Sequence, residues 1–150
     1  MNKYKIYCFS KLEERHKVSY MMRQLEQDGH EILFDWTKIQ PSNGDHNIEC
    51  AVACAAIDAI KKADLLVGYM MKDLPYKGSY GELSIGVALN KPVLIVGTEG
   101  AGCCFTHHPN VKRFEKMSEL RQLIQEFDMR LSCDGCSHCY ASCLIPERKF

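Results

Sequence analysis

A strand, a loop, a helix and a second strand follow one another in residues 65–96, which read LLVGYMMKDLPYKGSYGELSIGVALNKPVLIV. The apolar residues 65–67 predict a strand, residues 82–90 fit a short helix, and Val93–Val96 predict a strand without a single polar side chain. Strands that are apolar on both faces are typical of a parallel sheet covered by helices on each side. This stretch therefore predicts a parallel α/β sheet.

The same alternation extends over the rest of the chain. Apolar, β-prone runs predict strands at residues 5–9 and 31–34, and helical spacing predicts helices over residues 12–28, 48–62 and 118–128. Strand and helix thus alternate repeatedly, which predicts a doubly wound, flavodoxin-like or Rossmann-like parallel sheet of four to five strands with helices on both faces. Ligands of such sheets bind beyond the carboxyl ends of the strands. The loops expected at that edge are residues 9–11, 35–37, 69–81 and 97–110.

Length and composition limit the class of protein. The 150 residues are the size of one domain, 46% of them are apolar, and 19 basic side chains balance 19 acidic ones. Zero net charge argues against a nucleic-acid-binding domain, and no apolar run in the sequence is long enough to span a membrane. Because the N-terminus also lacks a signal-peptide pattern, we expect a soluble, cytoplasmic protein with no nucleic-acid or membrane partner.

The nine cysteines are a high number for this length, and four of them lie between Cys133 and Cys143. An odd number without a secretory signal argues against a disulfide framework. We expect Cys8, Cys50 and Cys54 to pack as small apolar residues. The clustering predicts an α/β domain at residues 1–128 and a Cys-rich tail at residues 129–150.

The spacing within that tail leaves open whether the tail binds a metal. Cys133, Cys136, Cys139 and Cys143 are spaced as in bacterial ferredoxin segments, which indicates an iron–sulfur cluster. Four thiolates also suit zinc, although structural zinc sites usually separate their cysteine pairs more widely. The other interpretation is a tail whose thiols stay reduced and bind no metal.

One carboxylate, Glu82, is the candidate catalytic residue. It follows a Gly78-Ser79-Tyr80-Gly81 loop and is predicted in the first turn of a helix at the ligand edge of the sheet. There the helix dipole and the free N–H groups would keep the carboxylate ionised, so that it could act as a nucleophile at neutral pH. The alternative is an ordinary glutamate at a helix start.

The chain resembles the nucleoside 2-deoxyribosyltransferase family, which includes the 2'-deoxynucleoside 5'-phosphate N-hydrolases. Matching pieces occur in order across about the first 127 residues, and the ordered set is specific although no single piece is decisive. The pieces are Lys5-Ile6-Tyr7 with Ser10, Glu14-Arg15-His16, Gly29-His30-Glu31, Asp35-Trp36-Thr37, residues 59–64, Gly78-Ser79 through Glu82-Leu83, residues 86–93 and residues 107–111.

The resemblance implies glycosidic chemistry on a nucleoside or nucleotide, with no cofactor for catalysis. Glu82 corresponds to the family's nucleophile, which attacks C1' of the sugar and expels the base. The covalent glycosyl-enzyme then passes to a second base or to water, as in the two-step scheme of retaining glycosidases. The resemblance further implies a homodimer or higher homo-oligomer whose protomers share active sites.

The resemblance also implies which residues bind the substrate. Tyr7 and Ser10 match first-loop residues that touch the nucleophile and the sugar or phosphate, and Gly78 and Ser79 would hold the 5' end through backbone N–H groups. For these four the alternatives are a core aromatic, a helix N-cap and ordinary turn residues. Two further residues would complete a neighbouring protomer's site: His108 and Asn110.

Two positions depart from the family pattern. Ala56 stands where the family usually has an aspartate in the helix before the third strand, and Tyr76 stands where the larger transferases have one, six residues before Glu82. Asp35 is a candidate replacement for these acids. Asp64 matches the family's acid at the start of the third strand; it is a substrate-binding candidate, although a structural role is expected there.

The departures and the tail leave a second function open. The chain would then be a non-catalytic nucleotide-binding sensor with a metal- or redox-responsive Cys tail. A flavodoxin-like redox protein is disfavoured, because no distinct phosphate-cradling loop follows the first strand.

Overall fold

The computed structural model describes residues 2–126, which contain one sheet of five parallel strands. The order of the strands across the sheet is β2-β1-β3-β4-β5, and each neighbouring pair is parallel. This arrangement confirms the predicted doubly wound α/β fold. The strands are β1 (Lys5–Phe9), β2 (Glu31–Leu33), β3 (Leu65–Tyr69), β4 (Val93–Val96) and β5 (Val111–Phe114).

Within residues 2–126, four α-helices cover the two faces of this sheet. Side chains alternate along β1, so that Ile6 and Cys8 pack toward one pair of helices whereas Tyr7 and Phe9 pack toward the other. The helices are α1 (Arg15–Gln27) and α4 (Met117–Glu126) on the first face, and α2 (His46–Lys62) and α3 (Lys77–Ala88) on the second. Burial on both faces explains the uninterrupted apolar strands.

Helix α3 begins at Lys77, so the predicted start at Glu82 is wrong. The residues that were expected to form a loop, Gly78 to Gly81, are the first turns of this helix. Glycine lowers helix propensity by about 1 kcal/mol per residue. That cost is offset by the packing of the helix as a whole, because Ser79, Leu83, Gly86 and Val87 are buried. At Gly86 the helix lies so close to the sheet that an added Cβ would be 2.6 Å from Leu66 Cδ2. Tertiary contact therefore overrides local propensity.

The cysteines of the described residues are only partly placed as expected. Cys8 is buried in the sheet, whereas Cys50 and Cys54 are exposed on α2. The prediction that these two pack as apolar residues is wrong, because α2 turns Ala56, Ala59 and Ile60 to the core instead. The four tail cysteines and the predicted domain boundary at residue 128 lie outside the described residues.

The topology places a crevice at the carboxyl ends of β1 and β3. The chain moves outward from β1 to β2 on one side and from β3 to β4 and β5 on the other, so that the loops after β1 and β3 leave in opposite directions. As for membranes, none of the helices in residues 2–126 has both the length and the apolar character to cross one.

Candidate active site

A cavity of about 660 Å³ lies at the carboxyl end of β1, between α2 and α3. Four parts of the chain form its walls: the loop after β1, the loop after β2, the first turns of α2 and the first turns of α3. Its lining residues include Tyr7, Ser10, Lys11, Phe34, Trp36, Ile39, Gln40, Ser42, Asn43, Ile48, Glu49, Val52, Tyr76, Lys77, Gly78, Ser79 and Glu82.

The carboxyl group of Glu82 reaches the cavity from the second turn of α3. The Tyr7 hydroxyl donates a hydrogen bond to Glu82 Oε1 over 2.6 Å. Burial and the adjacent Glu82 carboxylate raise the pKa of Tyr7 far above its usual range, so the phenol remains a donor at any physiological pH. The bond fixes one carboxylate oxygen and leaves the other, Oε2, available to a ligand.

The charge state of Glu82 differs from the sequence-based expectation. Its position beyond the first helical turn removes the free N–H groups that were expected to keep it ionised. Burial raises the pKa of Glu82 to about 7, and the hydrogen bond from Tyr7 opposes that rise. Near neutral pH the side chain therefore exists in both forms, and only its ionised form is a nucleophile.

A buried carboxyl behind the cavity, Glu14, fixes two of its wall residues. Glu14 Oε2 accepts hydrogen bonds from Ser10 Oγ (2.7 Å) and from the Tyr76 hydroxyl (2.9 Å). Ser10 Oγ also lies 2.6 Å from the Tyr69 carbonyl oxygen, and the Tyr76 hydroxyl lies 2.9 Å from that of Lys72. Glu14 belongs to one of the pieces that match the family, but no local pattern indicates its role, and only the fold shows what it contacts.

The start of α3 brings a lysine and free backbone N–H groups to the cavity. Lys77, Gly78 and Ser79 are the first three residues of the helix, where backbone N–H groups have no acceptor within the helix. Ser79 is 2% exposed, and its Oγ has no hydrogen-bond partner among the described residues. Lys11, from the loop after β1, lines the cavity as well, and its Nζ pairs with Glu13 Oε1 at 3.3 Å. The free N–H groups, the helix dipole and Lys77 together favour an anion.

The loop after β2 supplies an apolar wall. Phe34, Trp36 and Ile39 line the cavity, and Trp36 is fixed by a 2.8 Å hydrogen bond from its Nε1 to the carbonyl oxygen of Cys8. Phe34 has a φ of 54°, a left-handed conformation that ends β2 and starts this loop. Apolar and aromatic walls of this kind suit the face of a flat ring.

Asp35 does not line the cavity. Its carboxylate caps the short helix Trp36–Lys38 by accepting a hydrogen bond from Thr37 N, and it pairs with Lys38 Nζ at 3.0 Å. Burial opposes ionisation, but the bonds from Thr37 and Lys38 outweigh it and lower the pKa of Asp35. A carboxylate held ionised in this way is a poor proton donor, and both its pKa and its position disfavour Asp35 as a replacement for the two missing acids.

Three other predicted residues lie at the opposite, amino edge of the sheet. Asp64 Oδ2 accepts a hydrogen bond from Lys5 N at 2.7 Å, which fixes the starts of β1 and β3 together. Asn110 accepts one from Val93 N through its carbonyl oxygen, and His108 Nδ1 accepts one from Asn110 N. None of the three lines the cavity between α2 and α3. For His108 and Asn110, a place in a neighbouring protomer's site stays a prediction, as does the oligomer itself.

The two departures from the family pattern lie in different surroundings. Ala56 is 7% exposed and packs in the core beneath α2. The Tyr76 hydroxyl is occupied by Glu14 and Lys72. Neither position thus offers a proton to the cavity. Metal binding by the tail stays a prediction, and within residues 2–126 no group of three or more His, Cys, Asp or Glu side chains could hold a metal ion.

The fold and the cavity define a doubly wound α/β protein with a half-buried carboxylate at the ligand edge of its sheet. The family model described as nucleoside 2-deoxyribosyltransferase matches residues 6–130. The chain therefore belongs to the nucleoside 2-deoxyribosyltransferase family, whose members act on nucleosides as small-molecule substrates. A search of curated proteins finds no match.

Solved structures support the same fold. The 2-deoxyribosyltransferase of the psychrotolerant bacterium Bacillus psychrosaccharolyticus is 22% identical, with a TM-score of 0.58 over 78% of this chain and 90% of that one. The CMP N-glycosidase of Clostridium botulinum is 18% identical, with a TM-score of 0.56 over 81% and 98%. A conserved protein of Enterococcus faecalis V583 is 14% identical, with a TM-score of 0.60 over 81% and 96%. At these identities the likeness shows the fold alone.

Proposed function

We propose that this protein cleaves or transfers the N-glycosidic bond of a nucleoside or a nucleoside 5'-monophosphate, with Glu82 as the nucleophile. The observation that carries the proposal is the Tyr7–Glu82 pair, in which one carboxylate oxygen is fixed and the other is available within a cavity large enough for a nucleotide. Membership of the family supports the reaction class.

The first step forms a covalent glycosyl-enzyme. Glu82 Oε2 bonds to C1' of the sugar, the bond between C1' and the base nitrogen breaks, and its electron pair leaves with the base, which takes a proton from water. Tyr7 keeps Oε1 hydrogen-bonded throughout, so the attacking oxygen does not rotate away. This is the retaining scheme, in which positive charge develops at C1' and the adjacent carboxylate stabilises it.

The second step regenerates the enzyme. A water oxygen, or a nitrogen of a second base, bonds to C1', the ester bond to Glu82 breaks, and its electron pair returns to the carboxylate. A proton from the attacking water or base passes to solvent. Hydrolysis thus yields one free base and one free sugar, or one sugar 5-phosphate when the substrate is a nucleotide, for each water consumed. Transfer yields a new nucleoside or nucleotide.

The start of α3 supports a 5'-phosphate on the substrate. Lys77 and the free N–H groups of Gly78 and Ser79 lie on the same helix as Glu82, and the buried Ser79 hydroxyl has no hydrogen-bond partner among residues 2–126. A bound phosphate oxygen would satisfy this hydroxyl, which is otherwise costly to bury. The Clostridium botulinum protein of similar fold is likewise an N-glycosidase of a nucleotide, CMP.

The test is a base-release assay with paired nucleosides and nucleoside 5'-monophosphates of all common bases, in both ribose and 2'-deoxyribose forms. We expect free base from at least one pair, faster from the 5'-monophosphate, and no release by Glu82→Gln. Glu99→Gln, a carboxylate outside the cavity, is the matched control and should retain activity. Release that persists unchanged in Glu82→Gln would contradict the proposal.

A non-catalytic nucleotide-binding module is the second candidate, because Ala56 and Tyr76 replace two acids of the family and neither offers a proton to the cavity. The same panel separates the two. Tight binding of a nucleotide, with no base released by folded protein over hours, would favour the binding module. Turnover would exclude it.

A further inference from the structure

We propose that Glu49 is the residue that reads the substrate's base, and that it selects bases carrying an exocyclic amino group. This inference rests on the proposed function, since it takes the ligand to be a nucleoside or nucleotide. Among the described residues that line the cavity, Glu49 and Glu82 are the two carboxylates, and Glu49 lies on the α2 wall rather than on α3.

The local structure holds Glu49 in place. Asp45 caps the start of α2, with Oδ1 accepting hydrogen bonds from Asn47 N (2.9 Å) and Ile48 N (3.3 Å), and its carbonyl oxygen accepts one from Glu49 N (3.0 Å). The Ser42 hydroxyl donates to Glu49 Oε1. No donor among the described residues bonds to Oε2, so this oxygen is available to a ligand.

The position of Glu49 matches the expected position of the base. With C1' at Glu82 and the 5' end at the start of α3, the base extends toward the remaining walls, which are α2 and the loop after β2. Those walls combine an apolar part, formed by Trp36, Ile48 and Val52, with a polar part formed by Glu49, Gln40, Ser42 and Asn43. A flat ring fits the apolar part, and its edge meets the carboxylate.

Helix α2 carries a carboxylate at Glu49, although it has none at Ala56, where the family usually has an aspartate. The two residues are seven positions apart, which is about two turns of the same helix. Ala56 faces the core, whereas Glu49 faces the cavity. The acid contributed by α2 therefore stands at the outer part of the cavity, where it contacts the base edge rather than the core.

The chemistry of a carboxylate determines which bases it favours. An ionised carboxylate only accepts hydrogen bonds, so it pairs with an amino group and repels a carbonyl oxygen in the same place. Cytosine and adenine present an amino group where uracil and hypoxanthine present a carbonyl. A site that is built to bind such a donor rejects the analogue that lacks it.

The experiment measures binding, without turnover, in a Glu82→Gln background by titration calorimetry. Ligands are the matched pairs CMP and UMP, and AMP and IMP, with the corresponding nucleosides. We expect the amino member of at least one pair to bind roughly tenfold more tightly. Adding Glu49→Gln should bring that ratio to about one, because an amide donates as well as accepts. Adding Asp58→Asn, an exposed carboxylate on α2 outside the cavity, should leave the ratio unchanged.

The outcomes distinguish this inference from the proposed function. Equal binding of both members of every pair, or a preference that survives Glu49→Gln, would overturn the role of Glu49 while leaving Glu82 as the nucleophile. Failure of every nucleoside and nucleotide to bind would overturn both. A Ser42→Ala variant provides a second measurement: it should weaken the preference without abolishing it, because Oε1 loses the donor that orients the carboxylate.

Discussion

The two carboxylates of the cavity stand in opposite environments. Glu82 is half-buried on α3, bonded to Tyr7 over 2.6 Å, and burial raises its pKa to about 7. Glu49 is exposed on the first turn of α2 and bonded to Ser42 in a surface loop. Burial in a low dielectric shifts the pKa of a carboxyl group strongly and can bring it near neutral pH. An exposed carboxylate contributes mainly by accepting hydrogen bonds from a bound ligand.

The contrast assigns different tasks to the two walls. The α3 wall is built on the sheet, because Glu82 contacts Tyr7 of β1 and the helix packs closely on Leu66 of β3. The α2 wall depends on a loop and a helix cap, Asp45, which vary more easily without disturbing the core. Chemistry is thus expected from the rigid wall and base selection from the variable one.

The largest expected effect comes from Glu82. Glu82→Gln keeps the size of the side chain but removes the nucleophile, and base release should fall by roughly 10⁴-fold. Glu49→Gln should retain most of the rate on its best substrate, and both variants should bind nucleotide. Steady-state base release measures both. Equal loss from the two variants would remove the distinction between the walls.

Glu82→Gln should also change stability, in a manner that depends on pH. The pKa of Glu82 is raised from its usual 4.5 to about 7 in the folded protein. Between these values the native state holds a proton that the unfolded state has lost, so stability falls as the pH rises from about 4.5 to about 7. Glu82→Gln should therefore raise the free energy of unfolding at pH 8 by up to about 3 kcal/mol, and by little at pH 4. Urea denaturation at the two pH values measures this difference.

The pH dependence of the rate gives the next largest effect. Because only ionised Glu82 attacks, kcat/KM should rise with pH through about 7, so that pH 5 gives roughly a hundredth of the rate at pH 8. Tyr7→Phe removes the bond that favours ionisation, so the midpoint should move to higher pH. Glu49→Gln should leave the midpoint where it is. A rate independent of pH between 5 and 8 in the wild type would argue against a carboxylate with a raised pKa.

Two glycines of α3 provide a matched pair for the phosphate end of the cavity. An added Cβ would contact nothing within 4 Å at Gly78 or at Gly81, and only Gly78 lines the cavity. Both Gly78→Ala and Gly81→Ala should stabilise the helix by about 0.5–1 kcal/mol. Gly78→Ala alone should weaken binding of a nucleoside 5'-monophosphate, by roughly tenfold, because the methyl group occupies the space of the phosphate. Thermal unfolding and titration calorimetry separate the two effects. Equal affinity in both variants would place the phosphate elsewhere.

The smallest effect is expected at the amino edge of the sheet. Asp64 accepts a hydrogen bond from Lys5 N and lies outside the cavity, so Asp64→Asn should change nucleotide affinity by less than about twofold. Loss of the carboxylate should instead lower the free energy of unfolding by about 1 kcal/mol. A large loss of affinity in a stable Asp64→Asn variant would show that the amino edge takes part in binding.

The sheet was predictable from sequence because its three central strands, β1, β3 and β4, are almost entirely buried, and Val93–Val96 carries that signal without interruption. The start of α3 was not, since Gly78 and Gly81 are typical of a loop and only packing on Leu66 reveals a helix. The Tyr7–Glu82 contact joins residues 75 positions apart. Local sequence made Glu82 a candidate, whereas family resemblance alone made Tyr7 one.

Other site residues could not be predicted in this way. Glu14 positions Ser10 and Tyr76 by accepting a hydrogen bond from each. The bond from Tyr76 joins residues 62 positions apart, so no local sequence pattern indicates it. Glu49 has the sequence signature of any glutamate near a helix start, and its role depends on which wall the first turn of α2 faces. Composition and spacing identify elements; three-dimensional proximity identifies which of their side chains share a cavity.

Trapping the covalent intermediate tests the role of Glu82 most directly. A 2'-deoxy-2'-fluoro analogue of the best substrate slows both steps, because fluorine destabilises the positive charge at C1', and intact-protein mass spectrometry then records any adduct. We predict a mass increase equal to the glycosyl group, carried by the peptide that contains Glu82 and absent from Glu82→Gln. Complete turnover of the natural substrate with inversion at C1', or an adduct on another residue, would contradict Glu82 as the nucleophile.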